Sequence, residues 1–219
     1  MKTYLSPAPI RTPGPSTAPM FAAALALAFG LVAVDSHAGL YPPAAPAGSA
    51  YVRVFNATPQ PKLPATIGEH AIPDTASLDA SSYVFLAPGQ YPAKLGASEQ
   101  SLKLDPARCY TTALASDGIH VFDQACFNSQ VKAMLSVYNL IGGSTLTVKT
   151  ADGSSSVLDG VVANTAAHRE VNAVKVSLAV YDGTTKLADA KPMNLERGRA
   201  FSLFVTGSRE QPLLIWVVN

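Results

Sequence analysis

The stretch SAYVRVFNA (residues 49–57) is echoed 83 residues later by KAMLSVYNL (residues 132–140). Each reads Ala, three strand-forming residues, Val, an aromatic residue and Asn. Alternation of this kind is typical of a β-strand with one buried face. The echo predicts that the chain uses one strand pattern twice, as the first strand of each of two β modules.

A second pair of stretches supports this duplication. LDPARCYT (104–111) aligns with LERGRAFS (195–202) at an offset of 91 residues. Each has a Leu and an acid, then a turn, an Arg and a strand with an aromatic residue. Two similar offsets in the same order favour a duplicated module. The alternative is one larger sandwich in which valine-rich strands look alike by chance.

Short alternating or β-branched runs follow one another along the chain, separated by turn residues such as Asp117-Gly118 and Asp182-Gly183. Many short strands at this spacing indicate antiparallel sheets packed face to face. The predicted fold class is therefore all-β, with two small antiparallel β-sandwich domains in tandem behind a cleaved signal peptide. The predicted boundaries are 39–48 for an extended Pro/Ala-rich segment, 49–128 for the first sandwich and 129–219 for the second.

The first 38 residues have the features of a secretory signal. Lys2 and Arg11 precede the apolar run 20–34, and Ser36-His37-Ala38 follows it with small residues where a signal peptidase reads. A retained signal anchor is the alternative. No later segment approaches 18 apolar residues, so we expect no transmembrane segment in the mature chain. Cleavage predicts a periplasmic protein.

The charge balance gives no overall attraction to polyanions, so a polyanionic partner would have to be held by a local cluster of charge. The whole chain has 16 Lys and Arg against 15 Asp and Glu, and removal of residues 1–38 leaves 14 of each. A neutral chain has no electrostatic footprint for nucleic acid and no polybasic attraction to a membrane. We therefore predict no nucleic-acid partner.

The two cysteines are predicted to form a disulfide. If Asp117-Gly118 is the two-residue loop of a hairpin, Ser116 faces Ile119 and Cys109 faces Cys126 across the strands. Facing residues lie close enough for a disulfide, and an oxidising periplasm favours its formation. Two buried free thiols are the alternative.

Motifs for catalysis are missing from the sequence. There is no G-x-S-x-G elbow and no glycine-rich phosphate loop. His70, His120 and His168 lack a second His or a carboxylate at metal-ligand spacing. His120 is expected to be a partly exposed strand residue. We predict no catalytic residue, no metal and no cofactor.

Surface candidates for partner or glycan binding fall in two places. His168 and Arg169 lie in a polar stretch between strands, and Arg197 and Arg199 flank Gly198 in a turn. Guanidinium groups can pair with carboxylates in bidentate fashion. Ordinary solvated loop charge is the alternative for each. The single Trp, Trp216, is expected to be a core residue rather than a sugar platform.

Tyr41, Pro42 and Pro43 are further candidates. They belong to LYPPAAPAG (40–48), which is too rich in proline for a central strand and should be extended. This segment is expected either to pack along the first sandwich or to offer a ligand to a partner protein.

Several stretches carry a family resemblance. GLYPPAAPAGSAYVRVFNA (39–57) resembles the start of the mature chain in the AlgF family of alginate biosynthesis proteins, and TVKTADG (147–153) and REVNAVKVSLAVYDG (169–183) are similar to that family too. The likeness covers most of residues 39–219. It implies two β-sandwich domains and a periplasmic accessory role in adding acetyl groups to mannuronate residues of alginate. The implied partners are periplasmic and membrane-bound acetylation proteins.

Three functions follow as hypotheses. The first is a non-catalytic adaptor that binds acetylation enzymes. The second is a carbohydrate-binding module that presents alginate, for which Tyr41, Tyr51, Phe55 and Tyr138 are candidate platform residues, although strand alternation is expected to bury some of them. The third, an acetyltransferase, would need an activated nucleophile or base. Only isolated candidates such as His168 exist for that role.

Overall fold

The computed structural model describes residues 45–218, which form strands and turns without a helix. We call residues 49–128 the first half and residues 129–218 the second half. The strands of the first half are β1 Ala50–Asn56, β2 Leu63–Ile67, β3 His70–Thr75, β4 Asp79–Ala80, β5 Val84–Leu86, β6 Gly89–Leu95, β7 Ser98–Leu104, β8 Arg108–Ala115 and β9 Gly118–Ala125.

The second half continues with ten strands. They are β10 Ala133–Asn139, β11 Thr145–Thr150, β12 Ser156–Val162, β13 Ala166–Val171, β14 Lys175–Val176, β15 Leu178–Asp182, β16 Thr185–Asp189, β17 Met193–Asn194, β18 Ala200–Gly207 and β19 Pro212–Val218.

Each half has an inner and an outer sheet, and the strand order repeats. The inner sheets run β4-β1-β8-β9, with β5 also on β1, and β13-β10-β18-β19. The outer sheets run β3-β2-β6-β7 and β12-β11-β15-β16. The two echoed stretches therefore occupy equivalent positions, with β1 matching β10 and β8 matching β18. The all-β fold with paired sheets that the sequence predicts is confirmed.

One pairing in each inner sheet differs from the expected antiparallel arrangement. β1 runs parallel to β8, with Val54 beside Thr112, and β10 runs parallel to β18, with Val137 beside Leu203. Hydrophobic alternation shows which face of a strand is buried but not which strand is its neighbour. The local sequence pattern therefore could not predict that these strands pair in parallel.

These four sheets stack as successive layers with apolar clusters between them, and the short strands β14 and β17 form a fifth sheet. One cluster, including Val52, Ile67 and Leu102, fills the first half. Another, including Val137, Val148 and Val180, fills the second half. A third contains residues of both inner sheets, and β10 is buried along its whole length because both of its faces are covered.

The Asn that ends each echoed strand has the same role in both halves. Asn56 accepts a hydrogen bond from the Thr58 N–H at 3.0 Å, and Asn139 accepts one from the Ile141 N–H, also at 3.0 Å. Each side-chain amide also donates to a backbone carbonyl, Thr75 or Val161. Both Asn are fully buried. A buried backbone N–H needs a partner, so this Asn closes the turn that leaves the first strand.

The predicted disulfide is present, but the predicted hairpin register is wrong. Cys109 and Cys126 are bonded, with Cα atoms 5.1 Å apart. The loop consists of Ser116 and Asp117, because Ala115 pairs with Gly118 and Cys109 pairs with Gln124. Gly118, with φ of 130°, begins β9 instead of completing the turn. Cys126 lies just beyond the end of β9 and reaches Cys109 diagonally.

The division into two domains stays a prediction; residues 45–218 belong to one compact unit. The predicted signal peptide (1–38) lies outside the described residues, as does most of the segment 39–48. Within residues 45–218 no helix has the length and apolar character needed to span a bilayer.

Candidate functional site

The two inner sheets meet face to face along a contact that we call the seam. At its apolar end the ring of Phe204 stacks on Phe55, with centroids 3.7 Å apart, and on Tyr138, with centroids 4.4 Å apart. Phe122 meets Tyr138 edge to face. Such aromatic contacts add to the free energy of apolar burial. The seam is therefore a core of its own.

A charged side chain lies further along the seam. Arg53 is fully buried on β1. Its Nε donates to the hydroxyl of Thr111 at 3.0 Å, and its Nη2 donates to the hydroxyls of Ser202 at 2.8 Å and Tyr138 at 3.3 Å. A buried charge is costly unless hydrogen bonds satisfy it. Hydroxyls from both halves supply that stabilisation here.

The ring of Tyr83 lies against the Arg53 guanidinium. The guanidinium carbon lies 4.9 Å from the centre of the Tyr83 ring, within cation–π range. Burial raises the pKa of the Tyr83 hydroxyl, and the positive charge of Arg53 opposes part of that rise. The phenol is thus neutral at physiological pH.

The seam opens beside Tyr83 into a cavity of about 440 Å³, which we call the seam groove. Three aromatic side chains line it: Tyr51, Tyr83 and Phe127. The Cys109–Cys126 disulfide and Gly198 line it as well. The groove therefore combines ring faces with a covalently fixed wall.

The predicted Arg197–Arg199 turn lies at this groove, because Gly198 lines it. Gly198 has φ of 76° and its N–H donates to the Lys132 carbonyl at 2.8 Å. Arg199 pairs with Glu196 at 3.0 Å, and Arg197 is exposed.

His168 and Arg169 lie elsewhere, on the edge strand β13. His168 pairs in register with Ser136, and Arg169 pairs with Leu135. Successive side chains on a strand point to opposite faces. Arg169 lines a cavity in the second half, and its Nη1 donates to the Val157 carbonyl at 3.2 Å. The predicted residues thus form two places on the surface instead of one site.

Three further predicted site residues, Tyr41, Pro42 and Pro43, lie outside the described residues. The prediction that Phe55 and Tyr138 belong to an exposed aromatic platform is wrong, because both are fully buried in the seam. Trp216 packs against the core of the second half, and its Nε1 donates to the Lys191 carbonyl at 2.9 Å. It also lines a second cavity, of about 430 Å³, beside Tyr83.

His120 has a partner that the sequence analysis missed. Its Nε2 lies 2.8 Å from Oδ1 of Asp117, across the β8–β9 turn, and its side chain is only 14% exposed. The hydrogen bond from His120 lowers the pKa of the Asp117 carboxyl. Within residues 45–218 no group of three or more His, Cys, Asp or Glu side chains is placed to hold a metal ion.

Arg53 and Tyr83 also escaped the sequence analysis. A signal for Arg53 existed: in YVRVF (51–55) it shares one strand face with Tyr51 and Phe55, while Val52 and Val54 form the other. An arginine flanked by aromatic residues on a second face indicates that this face is covered as well. No comparable signal marked Tyr83, which lies outside the strands.

Comparison with known families and proteins gives a consistent result. Residues 22–202 match the family model described as "Alginate O-acetyl transferase AlgF". The chain is 40% identical to alginate biosynthesis protein AlgF of Pseudomonas fluorescens, over 89% of this chain and 90% of that protein. It is also 40% identical to the Pseudomonas aeruginosa protein of the same name, over 89% and 91%. With the Azotobacter vinelandii protein the identity is 37%, over 88% and 89%.

Two solved structures are similar to parts of the chain. The C-terminal domain of AlgF from P. aeruginosa is 45% identical, with a TM-score of 0.37, and covers 40% of this chain and 98% of that domain. The N-terminal domain of the same protein is 32% identical, with a TM-score of 0.34, over 37% and 99%.

Proposed function

Because this chain belongs to the AlgF family, we propose that it takes part in alginate biosynthesis as a periplasmic accessory protein that does not itself transfer acetyl groups. It binds the proteins that O-acetylate mannuronate residues, both periplasmic and membrane-bound. The Cys109–Cys126 disulfide supports an oxidising compartment such as the periplasm.

One observation carries the non-catalytic part of this proposal: both cysteines, His120 and two buried hydroxyls are engaged in structural contacts. Acetyl transfer through the enzyme needs a nucleophile activated by a neighbouring base. Both cysteines are joined in the disulfide, and His120 is paired with Asp117. The buried hydroxyls of Thr111 and Ser202 accept hydrogen bonds from Arg53. These contacts favour a scaffold over a catalytic centre, although the family model's description contains the word transferase.

The test has a binding arm and an activity arm. Full-length protein is expressed together with the periplasmic acetylation proteins and purified from the periplasm. We expect at least one of them to co-purify in stoichiometric amount. The purified protein alone is then given an acetyl ester, and we expect no turnover above the buffer rate. Turnover that His168→Ala abolishes would overturn the non-catalytic assignment.

A second candidate function is alginate binding, and the seam groove favours it. Tyr51, Tyr83 and Phe127 offer ring faces, and the exposed Arg197 stands beside Gly198 at the groove. Sugar rings stack on aromatic faces, and a guanidinium pairs with a uronate carboxylate. Titration with mannuronate oligomers should shift the NMR signals of these four residues. Arg197→Ala should weaken binding, whereas Arg209→Ala, which removes a cation paired with Asp182 away from the groove, should not. The absence of any shift at millimolar oligomer would rule this function out.

A further inference from the structure

The cavity that Arg169 lines in the second half has a volume of about 450 Å³, and we call it the aliphatic pocket. Most of its wall is hydrocarbon, contributed by β10, β12, β13, β14 and β15. The aliphatic residues that line it include Leu135, Val157, Val171, Val176, Leu178 and Leu195. Several of them also belong to the core of the second half. The pocket is therefore a place where that core is open to solvent.

Apolar surface continues beyond the pocket. Val174, at the rim, is 52% exposed. Val131 is 68% exposed, and its neighbour Lys132 bonds to the Asn172 side chain, which lines the pocket, at 2.7 Å. Exposed hydrocarbon of this kind marks interaction surfaces in proteins. A small ligand inside the cavity would leave Val174 uncovered at the rim, so the surface suits a polypeptide better.

Three cations surround this apolar surface. Arg169 and Lys175 line the pocket, and Lys132 stands at its edge. Within the described residues the Arg169 guanidinium has one hydrogen bond, from Nη1 to the Val157 carbonyl at 3.2 Å. That bond positions the guanidinium across the pocket from β13 to β12 and leaves its other N–H groups for a ligand.

Acidic groups do not cancel these charges. Asp152 lies near the pocket, because it is bonded to Thr150, which lines it. Its carboxylate also accepts hydrogen bonds from the Ser154 side chain and N–H, so it is directed into its own turn. Glu170 is the last but one residue of β13, and its side chain points to the strand face opposite to that of Arg169. The rim therefore has an excess of positive charge although the whole chain is almost neutral.

We propose that the aliphatic pocket is a docking site for a short segment of a partner protein, in which an aliphatic side chain is flanked by Asp or Glu. The aliphatic side chain enters the pocket, the rest of the segment covers Val174, and the carboxylate pairs with Arg169 or Lys175. Arg pairs with carboxylates in bidentate geometry, which sets the direction of the segment as well as its affinity. This inference rests on the proposed accessory role and names the surface that performs it.

The test uses the purified acetylation proteins, both periplasmic and membrane-bound, titrated one at a time against the full-length protein. Arg169→Glu and Val174→Glu change exposed side chains and should leave the circular dichroism spectrum unchanged. Each should weaken the binding of one of these proteins tenfold or more. Arg209→Glu is the matched control, because it makes the same charge change in the same half but beside Asp182, away from the aliphatic pocket; its affinity should stay within twofold of the wild type.

The outcomes separate the two proposals. If the wild type binds a partner and Arg169→Glu and Val174→Glu bind equally well, the docking site is wrong and the accessory role stands. If the wild type binds none of the acetylation proteins, the accessory role fails and the docking site fails with it. Octanoate serves as a small amphipathic probe. Saturable NMR shifts at Val174 and Arg169 at micromolar octanoate would overturn the docking proposal and show that the pocket binds a small carboxylate instead.

Discussion

Arg53 of the first half donates from Nη2 to the hydroxyl of Tyr138 in the second half over 3.3 Å, and both side chains are fully buried. The two residues sit on strands that echo each other in sequence, two positions out of step. The echo of Arg53 itself is Ser136, and the echo of Tyr138 is Phe55. The duplicated faces that meet at the seam have therefore diverged. One presents the charged Arg53 side chain, and the other presents the Tyr138 hydroxyl that accepts its hydrogen bond.

Removal of the Tyr138 hydroxyl should destabilise the protein. Tyr138→Phe keeps the ring that stacks on Phe204 but takes an acceptor from Arg53 and a donor from Gln124. Hydrogen bonds to charged groups contribute about 1.5–3 kcal/mol each. We expect the free energy of unfolding, measured by urea denaturation, to fall by about 2 kcal/mol.

Tyr181→Phe is the control for this substitution, because Tyr181 is half-buried in the outer sheet of the second half. The free energy of unfolding of Tyr181→Phe should fall by less than about 0.5 kcal/mol. Equal losses in the two variants would show that the bond to Arg53 contributes little to stability.

The disulfide should stabilise the chain without any role in chemistry. It joins residues 17 apart, and a closed loop of this size lowers the entropy of the unfolded chain by an amount worth about 3 kcal/mol. The double variant Cys109→Ser, Cys126→Ser should lose about that much unfolding free energy. Dithiothreitol should lower the stability of the wild type to the level of the variant and leave the variant unchanged. The prediction would be contradicted if dithiothreitol freed both thiols of the wild type but left its free energy of unfolding unchanged.

Asp117 should titrate at an unusually low pH because of His120. The hydrogen bond from His120 is the main cause of its lowered pKa. A carboxyl whose folded-state pKa is depressed adds stability above its unfolded pKa, about 4, and loses it as the pH falls through the folded value. In His120→Leu the side-chain carboxyl signal of Asp117, followed by ¹³C NMR, should titrate at higher pH than in the wild type.

Asp152 provides an internal control for this titration. Its pKa is also lowered, but by hydrogen bonds from Thr150 and Ser154. The midpoint of Asp152 should therefore be the same with and without His120. If the two midpoints moved together, a long-range charge effect and not the contact at 2.8 Å would be the cause.

Local patterns were sufficient to predict the strands and the disulfide, because both depend on residues close in sequence. The repeat was predictable because the same local patterns occur twice along the chain. The pairing of β1 with β8 was out of reach, since alternation does not name a strand's neighbour. The hairpin register failed for a related reason. Asp117-Gly118 signals a turn, but the pairing of Ala115 with Gly118 places the loop one residue earlier.

The candidate site was less predictable than the fold. Arg53 reads as the solvent side of an alternating strand until both faces of β1 are known to be covered. The seam groove is formed by residues from the ends of β1, β8 and β18 and from the segment after β9, which only the packing of the two inner sheets brings together. Arg169 was predicted as a surface cation, and its position in an aliphatic pocket depends on β12 and β14 lying beside it.

The turn before the last long strand pair has the same backbone conformation in both halves but a different residue at the equivalent position. Ala107 and Gly198 are equivalent at the offset of 91 residues, and both adopt positive φ, 56° and 76°. Each N–H donates to a carbonyl just before the first strand of its half, Gly48 at 3.3 Å and Lys132 at 2.8 Å. The left-handed conformation costs an L-residue about 1–2 kcal/mol, whereas Gly adopts it freely.

Opposite substitutions at these equivalent positions should therefore have opposite effects. Gly198→Ala should lower the free energy of unfolding by about 1 kcal/mol, the added strain less the smaller entropy of the unfolded chain. A Cβ at this position would meet Gln130 Oε1 at 3.5 Å, an ordinary contact, so the loss would come from the backbone. Ala107→Gly should raise stability by about 0.5 kcal/mol. Gly142→Ala is the control, because Gly142 lacks positive φ and a Cβ there would meet nothing within 4 Å. It should be neutral or slightly stabilising, and a loss at Gly142 as large as that at Gly198 would remove backbone strain as the explanation.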